Sequence, residues 1–115
     1  MTKDCLFCKI IAGEIPSEKV FEDELVTAFR DINPVAPTHI LIIPNKHIAS
    51  INDLGPNDEA LVGHLFTVAK KLAQKEGINE SGYRLIINTG ADGGQIIFHL
   101  HLHLIGGHKM QHPMG

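Results

Sequence analysis

His99-Leu100-His101-Leu102-His103 is the stretch whose reading decides the fold of this 115-residue chain. Successive side chains of a strand point to opposite faces. An extended run here sets three imidazoles on one face, with Leu100, Leu102 and Leu104 on the other. The leucines supply a core. The histidines collect three groups that titrate, donate, attack or bind metal near neutral pH. A purely metal-binding strand is the competing reading of the same pattern.

The residues before this strand extend the picture. The turn Gly90-Ala91-Asp92-Gly93-Gly94-Gln95 feeds directly into it. Glycines let backbone N–H groups approach an anion closely, so this turn beside three histidines suggests phosphate binding. Asn88, closing a strand over residues 83–88, can point its amide into the same space. Further upstream, Leu61, Val62, Leu65, Phe66, Ala69, Leu72 and Ala73 recur on one face of a helix over residues 59–76. Pro56 suits its first turn and Gly77 its end. Ile40-Leu41-Ile42-Ile43 reads as a buried strand stopped by Pro44. Residues 19–22 and 25–31 read as two strands around a tight Asp23-Glu24 turn. Asp4 caps a short helix over residues 5–12. The order is helix, three strands, helix, two strands, which implies an α+β fold with a mostly antiparallel sheet.

Length and charge bound the function. One compact domain spanning residues 1–115 fits this size. A formal charge of -3 and a pI near 6.2 exclude a large basic nucleic-acid footprint, though not a mononucleotide pocket. No apolar run is long enough to span a bilayer, so no membrane partner is expected. Met1-Thr2-Lys3-Asp4-Cys5 carries no signal-peptide pattern. A reducing cytoplasm is the expected compartment, and the two cysteines are not expected to form a structural disulfide.

Cys5-Leu6-Phe7-Cys8 reads as a redox pair, half a metal site or two buried thiols. The redox reading wants a βαβ setting, which the predicted order lacks. His47 and one strand histidine would complete a Cys2His2 zinc set. His39 opens the Ile40 strand and His47 follows its end. His64, His108 and His112 read as structural or solvent-exposed.

Taken together, these motifs resemble the histidine triad (HIT) family, in its Hint-like branch. The resemblance rests on His99, His101 and His103 followed by Leu104-Ile105-Gly106-Gly107. It extends to Asp31-Ile32-Asn33-Pro34, Ala36-Pro37-Thr38-His39, Pro44-Asn45-Lys46-His47, and Asn88 with Gly93-Gly94-Gln95. Phe7-Cys8-Lys9-Ile10-Ile11 and Glu14-Ile15-Pro16 are similar too, so it covers essentially the whole chain.

The resemblance implies a HIT-like fold: an antiparallel sheet of about five strands, one long and one short helix, and a sheet joined across a homodimer. It implies hydrolysis of the P–N bond of purine nucleoside 5'-phosphoramidates, with no cofactor required for catalysis. By resemblance His101 is the nucleophile, giving a nucleotidyl-histidine that water resolves. His103 binds a phosphoryl oxygen or hands a proton to the departing amine, and His39 supports His101. Asn88 and the backbone of Gly94, Gln95 and Ile96 hold phosphate oxygens. Asp31 accepts from the ribose, while Phe7, Ile10, Phe29 and Ile32 form an apolar slot for the base. Some bacterial members place a structural zinc where Cys5, Cys8, His47 and His99 fall here.

Ile96 departs from the pattern, since many Hint-like proteins carry Ser or Thr there. The tail of residues 110–115 resembles one that reaches towards the partner's active site, without the aromatic residue some relatives have. Two other classes remain open: a purine-nucleotide-binding regulatory or scaffold protein with low turnover, and a metal-dependent hydrolase using the three histidines as ligands.

Overall fold

The computed structural model describes residues 4–114. Helix α1 (Leu6–Ile11) is followed by strands β1 (Lys19–Glu22), β2 (Val26–Arg30) and β3 (Thr38–Pro44). Two single 3₁₀ turns, at Ile51–Asp53 and Pro56–Asp58, lead into the long helix α2 (Glu59–Lys75). Strands β4 (Tyr83–Ile86) and β5 (Leu102–Gly106) complete one five-stranded sheet in the order β1-β2-β3-β5-β4. Every neighbouring pair is antiparallel. The α+β class, the strand number and the pair of helices agree with the sequence reading.

The central strand explains how one sheet carries two layers. All of β3 is buried, because its alternate residues face different helices. Ile40 and Ile42 join Val26, Ala28, Leu100, Leu102 and Leu104 under α2, against Leu65, Val68, Ala69, Leu72 and Ala73. Leu41 and Ile43 face the other way and pack with Phe7, Ile10 and Phe29. Burying an aliphatic or aromatic side chain contributes about 1.5–3 kcal/mol, so both faces of this strand hold the molecule together. Arg30 ties the layers at one corner. Its guanidinium forks onto Glu76 at the end of α2, at 3.0 and 2.7 Å, and Thr38 donates to the same carboxylate.

Several local expectations are corrected. The N-cap of α1 is Cys5 rather than Asp4: Cys5 Sγ accepts from the Cys8 N–H at 3.4 Å, so the helix begins one residue later. Pro56 lies in a separate 3₁₀ turn before α2. Pro44 ends β3 inside the ladder, opposite Val26, because only its missing N–H is lost there. Leu25 and Asp31 fall outside β2. Strand β4 stops at Ile86, and the ladder of β5 begins only at Leu102. His99 and His101 therefore precede regular pairing, although Leu100 still enters the core. Phe66, placed by its spacing on the buried face of α2, is 42% exposed. The stripe that packs runs through Leu65, Val68 and Leu72, and Phe66 sits at its flank.

Candidate active site and metal centre

The three histidines share one side of the molecule yet have three different sets of partners. His99 is fully buried and its Nδ1 faces Cys5 Sγ at 3.3 Å, Cys8 Sγ at 3.5 Å and His47 Nδ1 at 3.2 Å. Cys8 Sγ is also 3.4 Å from His47 Nδ1. The four donor atoms lie within 4.8 Å of one another and could hold a metal ion. Tetrahedral zinc, with bonds of about 2.0–2.1 Å to nitrogen and 2.3 Å to sulfur, spans donor–donor edges of roughly 3.3–3.8 Å; the separations here are close to that. The outer contact fits as well. His99 Nε2–H donates to the Pro44 carbonyl at 2.8 Å, which leaves the Nδ1 lone pair for a metal.

His101 is wired differently. Its Nδ1–H donates to the main-chain carbonyl of His99 at 2.7 Å, which leaves a lone pair on Nε2. The Phe7 ring meets it edge-on at 5.2 Å and meets His99 at 5.9 Å, so α1 braces both imidazoles. Burial holds the His101 pKa below the ordinary histidine value, against the opposing pull of the His99 carbonyl and the Asp31 charge. The ring is neutral at pH 7.

His103 pairs with His39. The Val35 N–H donates to His39 Nδ1 at 3.2 Å, so the proton of the neutral ring sits on Nε2. That proton points to His103 Nδ1 at 3.0 Å, which places the His103 proton on its own Nε2. Burial, with His101 and His39 close by, pushes His103 down to about 4. Burial also lowers His39, while the Asp31 carboxylate 3.5 Å away works against it. His39 bonds to His103, which itself packs against His101, because the β3–β5 register sets His39 opposite Ile105 and brings its ring beside His103.

Asp31, His39 and His103 also converge as a candidate ligand set. The Val35 N–H speaks against a metal there. It occupies the His39 Nδ1 lone pair, so a metal on Nε2 would force two N–H groups to face each other. The two clusters therefore divide their chemistry. The cysteine cluster has outer contacts suited to a metal, and the His39–His103 pair is arranged for hydrogen bonding. The three triad histidines do not form one ligand set.

The glycine-rich turn is held from within. Asn88 Nδ2 donates to the Gly93 carbonyl at 2.7 Å. Gln95 accepts from the Gly90 N–H at 2.9 Å and donates to the Ala49 and Ile97 carbonyls. The N–H groups of Gly94 and Gln95 donate to Ala91 and Gly90. A Cβ at Gly93 would collide with the Thr89 carbonyl, so the tight turn requires glycine there. Ile96 follows the turn and is 87% exposed.

Phe7, Ile10, Phe29, Asp31 and Ile32 come together around a pocket of about 280 Å³ between α1 and β2. The first three are buried in its floor and Ile32 stands exposed at its mouth. The Asn33 N–H fixes one Asp31 oxygen at 2.8 Å, and the other faces His39. Sequence reasoning missed the Val35 N–H and the Pro44 carbonyl, which set the histidine tautomers, because main-chain groups leave no residue-type signal. It also missed Ser17 and Ile97 in the pocket wall.

Residues 12–110 match the HIT domain model. The chain belongs to the HIT family. Among relatives of this HIT protein, the purine nucleoside phosphoramidase of Escherichia coli K12 is 54% identical over 110 residues, spanning 96% of this chain and 92% of the relative. The crystal structure of a HIT family hydrolase from Legionella pneumophila Philadelphia 1 superposes with a TM-score of 0.94 at 57% identity, covering 97% of this chain and all of that one. A HIT family hydrolase from Clostridium thermocellum gives 0.95 at 46% identity, over 99% of each chain.

Proposed function

We propose that this HIT protein, one domain over residues 1–115, hydrolyses purine nucleoside 5'-phosphoramidates at the P–N bond. The observation that carries the reading is how two neighbouring rings, centroids 4.9 Å apart, are bonded: His101 Nδ1 to the His99 carbonyl and His103 Nδ1 to His39 Nε2, which leaves a lone pair on His101 Nε2 and an N–H on His103 Nε2. His101 Nε2 bonds to the α-phosphorus as the P–N bond breaks. Covalent catalysis divides one difficult displacement into two easier ones. The departing amine takes up one proton, delivered through His103, and the attacking water returns one when it frees His101. The anionic substrate favours the protonation that His103 resists at rest. Asn88 and the Ile96 N–H contact the phosphate, with Gly94 and Gln95 shaping the turn that presents it. Asp31 takes the ribose hydroxyls, and Phe7, Ile10, Phe29 and Ile32 hold the base. Catalysis takes no cofactor. Cys5, Cys8, His47 and His99 bind a structural zinc.

Steady-state hydrolysis of an adenosine phosphoramidate, beside a guanosine analogue and an adenylated lysine, tests this. His101→Ala should lose nearly all turnover while keeping its fold, and mass spectrometry of rapidly quenched protein should find a nucleotidyl group on His101. A variant with near wild-type turnover would refute the mechanism.

A further inference from the structure

Ser17 Oγ is shut off from solvent and meets no hydrogen-bond partner; among the described residues it is the one buried side-chain polar atom so placed. Buried hydroxyls are otherwise almost always bonded, because an unmade bond leaves the desolvation cost uncompensated. The residue's position gives the orphan a use. Ser17 lies in the wall of the 280 Å³ pocket between α1 and β2, among Phe7, Ile10, Phe29 and Ile32. That wall is otherwise apolar apart from Arg30, Asp31 and Asn33. Arg30 is committed to Glu76 and Glu18, and Asp31 to the Asn33 N–H and the His39 ring. The Asn33 side chain is exposed to solvent, so the Ser17 hydroxyl is the one buried side-chain group of the wall with an uncommitted donor and acceptor.

We infer that Ser17 is a base-reading residue, whose hydroxyl hydrogen-bonds the polar edge of the purine seated in this pocket. The inference rests on the nucleotide reading above and adds to it the group that reads the base. A serine hydroxyl turns between staggered rotamers at small cost and both donates and accepts. It can therefore swing from its dry position to meet a ring nitrogen or an exocyclic group. Apolar walls stack any base alike; a buried polar group is what discriminates, because a base that leaves it unpaired forfeits a bond. The two rings of a purine reach further into the pocket than the single ring of a pyrimidine.

The test pairs two measurements on Ser17→Ala. Calorimetric titration with AMP, purine riboside 5'-monophosphate and UMP reads recognition. Thermal melting of the ligand-free protein reads the role of the hydroxyl in the fold. AMP affinity should fall about five- to tenfold, with UMP binding unchanged. The ligand-free melting temperature should hold or rise, since removing an orphaned hydroxyl breaks no bond. Purine riboside 5'-monophosphate locates the contact: loss equal to that of AMP places it on a ring nitrogen, and a smaller loss places it on the exocyclic amine. Unchanged AMP affinity in the variant, or a clear drop in ligand-free melting temperature, overturns the inference while leaving the nucleotide reading standing. A wild-type protein that binds none of the three overturns both.

Discussion

His101 Nδ1 stands 2.7 Å from the main-chain carbonyl oxygen of His99, and the His99 ring is itself part of the cysteine cluster. One short run of chain thus joins the proposed nucleophile to the proposed zinc site. The bond runs to backbone and Phe7 packs against both rings, so a metal there would act on His101 through the placing of the chain and of α1. Purified protein should carry about one zinc per chain, in line with a closed four-ligand site. Cys8→Ser should lose the metal and melt several degrees earlier, since a metal bound only by the folded state stabilises it. Turnover should fall less than tenfold. Metal-free protein with two readily alkylated thiols would rule out the zinc site.

His103 is proposed to serve the leaving group, and its role should depend on how poor that group is. An amine needs a proton to depart; p-nitrophenolate does not. His103→Ala should cost at least a hundredfold in kcat on the phosphoramidate and far less on a p-nitrophenyl ester of AMP. His39→Gln should show the same split more weakly, because it acts through the 3.0 Å bond to His103. Equal losses on both substrates would assign His103 to phosphate binding alone.

Stability should follow pH through the same pair. His39 is buried and His103 half-buried, both with folded-state pKa values lowered, His103 to about 4. The unfolded chain binds protons near 6.5 that the folded chain refuses. This contribution is therefore complete above about pH 6.5 and is lost as the pH falls from there towards 4. Melting temperature should be flat from pH 8 to 7 and decline below 6.5, ahead of the carboxylates Asp23, Asp58 and Glu76, whose lowered values act only at stronger acidity. His103→Gln should make the decline between pH 6.5 and 4.5 shallower. An unchanged slope would show that the ring is not held neutral.

The sheet has β1 at one edge and β4 at the other, and among the described residues the outer side of β4 has no strand neighbour. Open edges invite pairing, and Tyr83 on β4 and Phe66 on α2 are exposed apolar groups. We expect a two-fold homodimer joining β4 to its copy, with α2 in the interface. Sedimentation at micromolar concentration should give twice the 12.6 kDa of one chain. A monomer throughout that range would rule it out.

Periodicity made much of this molecule legible. Alternation marked Leu100, Leu102 and Leu104 as core, and a helical stripe marked α2, because both patterns record burial residue by residue. The family resemblance pointed to Phe7, Ile10 and Phe29 as pocket-forming although Phe29 lies far from the other two in the chain. What stayed hidden was directional. Which ring His39 touches depends on the β3–β5 register, and which nitrogen holds a proton depends on the Val35 N–H and the carbonyls of Pro44 and His99. Backbone groups are common to every residue, so no spacing announces them. Phe66 misled for a related reason: a stripe seven residues deep is wider than the face that α2 buries.

Ile96 offers the sharpest single-residue test, since its side chain is 87% exposed and fills no core. Replacing it should change stability by no more than about 0.5 kcal/mol, the usual range for an exposed site. A hydroxyl there would stand directly after the Gly90–Gln95 turn, beside the proposed phosphate position. Donors aimed at a transferring phosphoryl group stabilise charge that grows in the transition state. The backbone N–H of residue 96 persists in either case, so ground-state binding should change little. Ile96→Ser should therefore raise kcat for the adenosine phosphoramidate while leaving AMP affinity within about twofold. If kcat stays level or falls, packing or another donor already compensates for the missing hydroxyl, and the departure at this position costs the enzyme nothing.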